Sequence, residues 1–269
     1  MARAPKPNEN PSRKSAKSIA GLGNARARCD VFYHPMTFRC SERFLTAASA
    51  EGLARGQRTL LRLKAGTALA LNDTPYLALR VADIVEHASL SYGLFYHHFK
   101  DKETAVKAVL GDMLEQVESN YRNIHSSRND YETIFEPSLF YVEYYSHNAG
   151  LMSACLSLSE DDKEFGDLWN LINDRWNRRI ANGVRAAQQN SKSLLPEADS
   201  VAYSLAAMVD QTCRQIFVQK NPFASRLMEN TLQLAETVSI LWYRVVFSRD
   251  PEKDQVLACR EKFALKQIK

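Results

Sequence analysis

Glycine is scarce in this chain of 269 residues, with only ten present, and none belongs to a glycine-rich phosphate loop or a G-x-S-x-G turn. Those absences exclude the nucleotide cradles and nucleophile elbows that such loops build from backbone N–H groups. Cysteine is thin as well. Cys29, Cys40, Cys155, Cys213 and Cys259 are odd in number and never spaced C-x-x-C. That pattern argues against a disulfide framework or a zinc site and suits free thiols in a reducing cytoplasm. No apolar run approaches the roughly 18 residues that span a bilayer; the longest, 238–247, is interrupted by Arg244. The basic N-terminus lacks an apolar signal segment, so a cytoplasmic protein with no membrane partner is expected. H-E-x-x-H is missing, and so is the Glu-x-x-His pairing of di-metal bundles.

What is present is a globular composition, 45% apolar and 25% charged, which excludes wholesale disorder. The length allows one large domain or two small ones. Net charge is only +4, yet its distribution is uneven. Residues 1–55 hold ten Lys/Arg against four Asp/Glu, whereas 56–120 and 121–269 each carry one more acid than base. A basic arm beside a compact domain suits phosphate contact, or is a solvated tail; both readings stay open.

Residues 1–55 read as a disordered basic arm, rich in Pro, Asn, Ser, Lys and Ala over 1–27. An apolar island follows, with Val31, Phe32, Tyr33, Met36 and Phe38, where Met36 offers an alternative start. Cys29, His34 and Cys40 are close enough to contribute to a metal clip, without an evident fourth ligand. Beyond Arg58 helical patterns dominate and sustained period-2 alternation is missing, so an all-α chain is expected. Helices are predicted over 60–72, 80–88, 92–98 and from 102 onward, with Ser91 and Asp101 as N-caps. Further helices are predicted over 131–147, 151–158, 162–189, 196–218 and 225–247, leaving 249–269 as a tail. The expected domains are therefore a helix-turn-helix unit over 56–103, its motif near 80–99, and a helical domain over 104–248.

Short helices joined by a tight turn can lay the second helix of the pair in a DNA major groove. The spacing alone is weak; the residues are more specific. Val81, Ile84 and Val85, then Ala88, Leu90, Ser91 and Gly93, then Tyr96, Phe99, Lys102 and Glu103 resemble the signature of the tetracycline-repressor (TetR) family. The resemblance implies an N-terminal three-helix DNA-binding domain, a larger ligand-binding and dimerisation domain, and double-stranded operator DNA as partner. It implies that Ser91 caps the recognition helix, that Tyr92, Gly93 and Leu94 form its base-facing start, and that Tyr96, His98 and Lys102 serve the DNA backbone. Phe95 and Phe99 are expected to be core. Three features depart from the family pattern. Ser89 replaces the usual turn glycine and would be strained at a positive φ. Tyr92 and Leu94 stand where polar residues are common. The near-neutral headpiece shifts weight to Arg58, Arg62, Arg80 and the arm.

The second half concentrates aromatics, an ordinary core or the lining of an apolar pocket. Interleaved polar residues favour the pocket, with Phe140, Tyr144, Trp169, Asn173, Trp176, Asp210 and Trp242 as candidate lining. Their layout is similar to that of mycobacterial members of the family, which implies a small, mostly apolar effector. The last two long helices offer Leu205, Met208, Thr212 and Ile216, and Leu234, Val238, Leu241 and Val245, as faces for a homodimer on a palindromic operator. No catalytic constellation, metal site or cofactor is expected. Asp83/His87 and Glu143/His147 read as surface pairs. A ligand-responsive repressor is therefore expected, the alternative being a helical small-molecule-binding module or an enzyme without DNA binding.

Overall fold

The computed structural model describes residues 39–123, 129–188, 197–226, 228 and 230–267. Among the described residues there are helices and no strands. The arm ends earlier than expected. Residues 40–48 form a helix, α1 (Cys40–Ala48), because Cys40, Phe44, Ala47 and Ala48 make an apolar stripe at helical spacing and bury it. The stripe packs on α2 (Arg55–Asp73), whose inner face is built from Leu63, Ala65, Ala68, Ala70 and Leu71. The apolar island, and with it Cys29, His34 and Met36, lies outside the described residues.

α2 stops at Thr74-Pro75 and is crossed closely by α3 (Val81–Ala88). Gly66 permits the approach, since a Cβ there would sit 2.7 Å from both the Cβ of Ala88 and the carbonyl oxygen of Ile84. α4 (Tyr92–His98) and α5 (Lys102–Asn123) complete the headpiece. Asp101 accepts from the Thr104 backbone N–H at 2.8 Å, capping α5.

The remaining elements are α6 (Asp130–His147), α7 (Ala149–Asp161), α8 (Lys163–Gln188), α9 (Ala198–Cys213), which runs on as a π-helical turn (Arg214–Val218), α10 (Pro222–Arg226), α11 (Thr231–Phe247) and α12 (Lys253–Gln267). α11 packs along α6, and α9 along α8. Two boundaries differ from expectation. The helix predicted over 225–247 is divided, because Asn230 turns its side chain onto the Gln233 N–H at 2.8 Å and caps a new helix there. The expected tail over 249–269 is largely α12, which buries Cys259 and Phe263 against α6 and α11. The helix expected to begin at Pro196 begins at Ala198, Pro196 itself lying outside the described residues. The main apolar core takes in residues from Cys40 to Phe263, so headpiece and bundle share packing, while Ala181, Val184, Ala198, Val201, Ala202, Leu205 and Val246 form a second, smaller cluster between α8, α9 and α11.

Candidate nucleic-acid interface and ligand cavity

The turn between α3 and α4 is set by three local devices. Ser89 adopts the left-handed conformation, φ 51° and ψ 50°, so the serine stands where a glycine would be unstrained. Arg62 donates to the carbonyls of Ala88 and Ser89 at 2.9 and 3.3 Å, holding the end of α3. Ser91 then caps α4, its Oγ accepting from the Leu94 N–H at 3.4 Å.

Two cations expected to meet phosphate have other work. Lys102 donates to the carbonyls of Tyr76, Leu77 and Leu79 at 3.2, 3.2 and 2.8 Å. An ammonium has three hydrogens, and all three are used here to clamp the loop before α3. Arg58 donates to the carbonyls of Ala48 and Ala50, closing the C-terminal end of α1. In the protein without DNA both cations are thus tied to carbonyls of the headpiece itself. Arg80 differs: its guanidinium extends into solvent at the start of α3, paired only with Asp83 at 3.3 Å.

The recognition helix points its large side chains outward. Phe95 and Phe99 are buried, whereas Tyr92, Leu94 and Tyr96 are 52%, 37% and 57% exposed. Gly93 lies in open space, with only the Ser91 Oγ, at 3.9 Å, near a Cβ placed there. His98 is half-buried, and burial together with His97 holds its imidazole below the usual histidine range, so it offers a neutral hydrogen bond. His97, which the sequence reading passed over, is exposed one turn beyond Gly93. The signal for it was the i+4 spacing.

A cleft of about 1940 Å³ opens among α5, α6, α8, α9 and α11. All seven candidate side chains, Phe140, Tyr144, Trp169, Asn173, Trp176, Asp210 and Trp242, line it. Phe140 stacks on Tyr144 with centroids 5.8 Å apart. Tyr141 donates to the Asp210 carboxylate at 2.7 Å. Burial, with Asp210 beside it, holds the Tyr141 phenol well above its ordinary range, so it stays a neutral donor. At the rim, Arg178 pairs with Asp174, Arg179 with Glu118, Arg185 with Asp199 and Arg249 with Asp130. The rim charges compensate one another, and the interior is apolar with a few placed polar groups. The sequence reading missed Met113, Leu114 and Val117 of α5, which form one wall. Their helical stripe was visible; its orientation toward a cavity was not.

Two connections join cavity and headpiece. α5 follows the recognition helix directly and lines the cleft with its second half. Tyr144, a lining residue, meets the Cys40 thiol at 3.0 Å, and the Cys40 N–H donates to the Asn148 side chain at 2.9 Å. Cys40 is therefore held in a buried hydrogen-bond set, while Cys29 and His34 lie outside the described residues. Among the described residues no group of three His, Cys, Asp or Glu side chains could hold a metal. His87 bonds to the carboxylate of Asp73 and the carbonyl of Asp83, and Glu143 pairs with His147 at 3.4 Å.

The faces expected to pair two copies need correction. Leu205, Leu234 and Val238 are buried inside the protomer, because these helices first pack on α8 and α6. Leu241 and Val245 remain outward on α11. No helix of the described residues is long and apolar enough to cross a membrane.

The model of the bacterial regulatory proteins of the tetR family matches residues 64–109, the segment from α2 into α5. The HTH-type transcriptional regulator EthR is 24% identical over 191 residues in both Mycobacterium tuberculosis and Mycobacterium bovis, covering 66% of this chain and 88% of theirs. Among solved structures, a transcriptional regulator from Rhodococcus sp. Rha1 shares the fold with a TM-score of 0.56 at 17% identity, covering 72% of this chain and 98% of that one. A regulator from Pseudomonas aeruginosa PAO1 gives 0.54 at 18% identity, covering 74% and 97%. The helix-turn-helix, the matched segment and the helical bundle agree: residues 64–109 are similar to the tetR family of bacterial regulatory proteins, and the chain shares its fold with solved transcriptional regulators.

Proposed function

We propose that the protein is a cytoplasmic, homodimeric repressor that leaves a palindromic operator when a small, mostly apolar molecule enters the cleft. The observation that carries this reading is α5, which begins at the foot of the recognition helix and ends as a wall of the cleft. A ligand seated among Phe140, Tyr144, Trp169, Asn173, Trp176, Asp210 and Trp242 would press on that wall and on Tyr144, which reaches α1 through Cys40. The headpiece, residues 56–103 together with α1, would move relative to its copy across the two-fold axis, changing the distance between the two recognition helices. Ser91, Tyr92, Gly93, Leu94, Tyr96 and His98 meet DNA, joined by His97 and by Arg80 on phosphate. The domain over 104–248 binds ligand and dimerises through the outward faces of α9 and α11.

Coupling of this kind is typically about 1–3 kcal/mol, a 5- to 150-fold change in operator affinity, and it is reciprocal. A gel-shift titration with the region upstream of the protein's own gene tests DNA binding. Calorimetry of an identified ligand, with and without operator, tests the coupling. Equal ligand affinity in both titrations would sink the proposed release.

A further inference from the structure

The recognition helix, Tyr-Gly-Leu-Phe-Tyr-His-His, contains no arginine, lysine, asparagine, glutamine, aspartate or glutamate. Those are the side chains that read a base through paired or strong hydrogen bonds to its edge. Its outward surface is aromatic and aliphatic instead. With Phe95 and Phe99 facing the core, helical geometry places Gly93 and His97 near the opposite side, flanked by Leu94 and Tyr96.

Resting on the DNA-binding reading above, we infer that each operator half-site presents a thymine to Leu94, and that its C5-methyl group packing on this leucine sets base preference beneath the start of α4. Thymine is the base that offers a methyl group in the major groove; the other edges there offer only donors and acceptors. A leucine can discriminate only by apolar contact. Leu94 is more than one-third exposed in the protomer, so it has surface left to bury on DNA.

Gly93 supplies an independent observation. Within a helix, glycine is less favourable than alanine by roughly 1 kcal/mol. The fold gives no reason for it: its φ is not positive, and a Cβ would meet only the Ser91 Oγ, at 3.9 Å. Its use lies outside the protomer, where a missing side chain lets the helix backbone come close to base edges and brings Leu94 within methyl contact.

The test begins with selection of bound duplexes from a random pool by the full chain. Each thymine of the selected half-site is then replaced singly by uracil, which deletes the methyl and leaves base pairing intact. Fluorescence anisotropy should show one or two positions where binding weakens about fourfold, the effect of one buried methyl. Leu94→Ala should bind thymine and uracil operators equally, while Gly93→Ala should melt no earlier than the parent and bind operator at least tenfold more weakly. Indifference to uracil at every position, or full uracil sensitivity in Leu94→Ala, would overturn the inference while leaving DNA binding intact. A pool that yields no bound duplex would overturn the DNA-binding reading itself.

Discussion

The headpiece and the ligand bundle solve opposite packing problems. In the headpiece, small residues let backbones meet: Gly66 lies directly against Ala88, and Ala65, Ala68 and Ala70 keep α2 narrow. Tyr92, Leu94 and Tyr96 are left over and point outward. In the bundle, large aromatics hold helices apart and leave a cleft, and the phenol of Tyr145 and the indole N–H of Trp242 are buried there without a hydrogen-bond partner. One region gains precision from density. The other leaves a cleft at the expense of satisfied contacts. Close backbone approach is not confined to the headpiece, since Gly166 of α8 meets the Ser159 carbonyl as tightly as Gly66 meets Ala88; what sets the bundle apart is the cleft beside its main core.

That contrast can be broken or sharpened by substitution. The largest effect is expected at the seam, from Phe44→Ala, because Phe44 is almost fully buried on α1. Urea unfolding should show a loss of about 3–5 kcal/mol. The same burial means that deleting residues 1–55 destabilises the fold, contrary to the view of that segment as a detachable arm. Gly66→Ala comes next. Its Cβ would overlap Ala88 and the Ile84 carbonyl, so a loss of about 1–3 kcal/mol is expected, with operator binding impaired as α2 and α3 separate. A bundle position with no comparable clash, such as Gly183, should tolerate alanine without loss; equal losses at both would remove the proposed difference in density.

Ser89→Gly should act in the other direction. It relieves a left-handed backbone and should raise stability by about 1 kcal/mol in thermal melts, without altering the outward face of α4. Tyr145→Phe should be neutral or raise stability by up to about 1 kcal/mol, since it removes a buried hydroxyl that has no partner. A loss there would show that the bundle is as exacting as the headpiece.

The smallest effect is pH-dependent. The Asp83 carbonyl and the Asp73 carboxylate hold the His87 imidazole above its ordinary value of 6.5. A raised folded-state value means that the stabilisation is complete below pH 6.5 and is lost as pH rises through the folded value. The pair is partly exposed, with Asp73 mostly in solvent, so only about 0.3–0.5 kcal/mol is expected. Stability curves of the parent and His87→Gln should therefore converge on going from pH 6 to pH 8. Parallel curves would show that His87 makes no such contribution.

Much of this was determined by sequence alone, for local reasons. Ser91 and Asp101 mark helix starts because a side-chain oxygen satisfies an N–H three residues on, a contact that needs no tertiary partner. Apolar spacing placed Ile84, Val85, Phe95 and Phe99 inside before any neighbour was known. The strain at Ser89 was equally legible, since left-handed backbone is costly for any residue with a Cβ. What tertiary structure decided was where long side chains and second faces went. Lys102 and Arg58 carry the same charge wherever they point, and only the positions of Tyr76, Leu77, Leu79, Ala48 and Ala50 directed them to carbonyls instead of solvent. Leu205, Leu234 and Val238 form apolar stripes suited to a partner or to the protomer's own core, and the packing of α8 and α6 assigned them inward. Periodicity states which residues share a face; only the assembled helices state what that face meets.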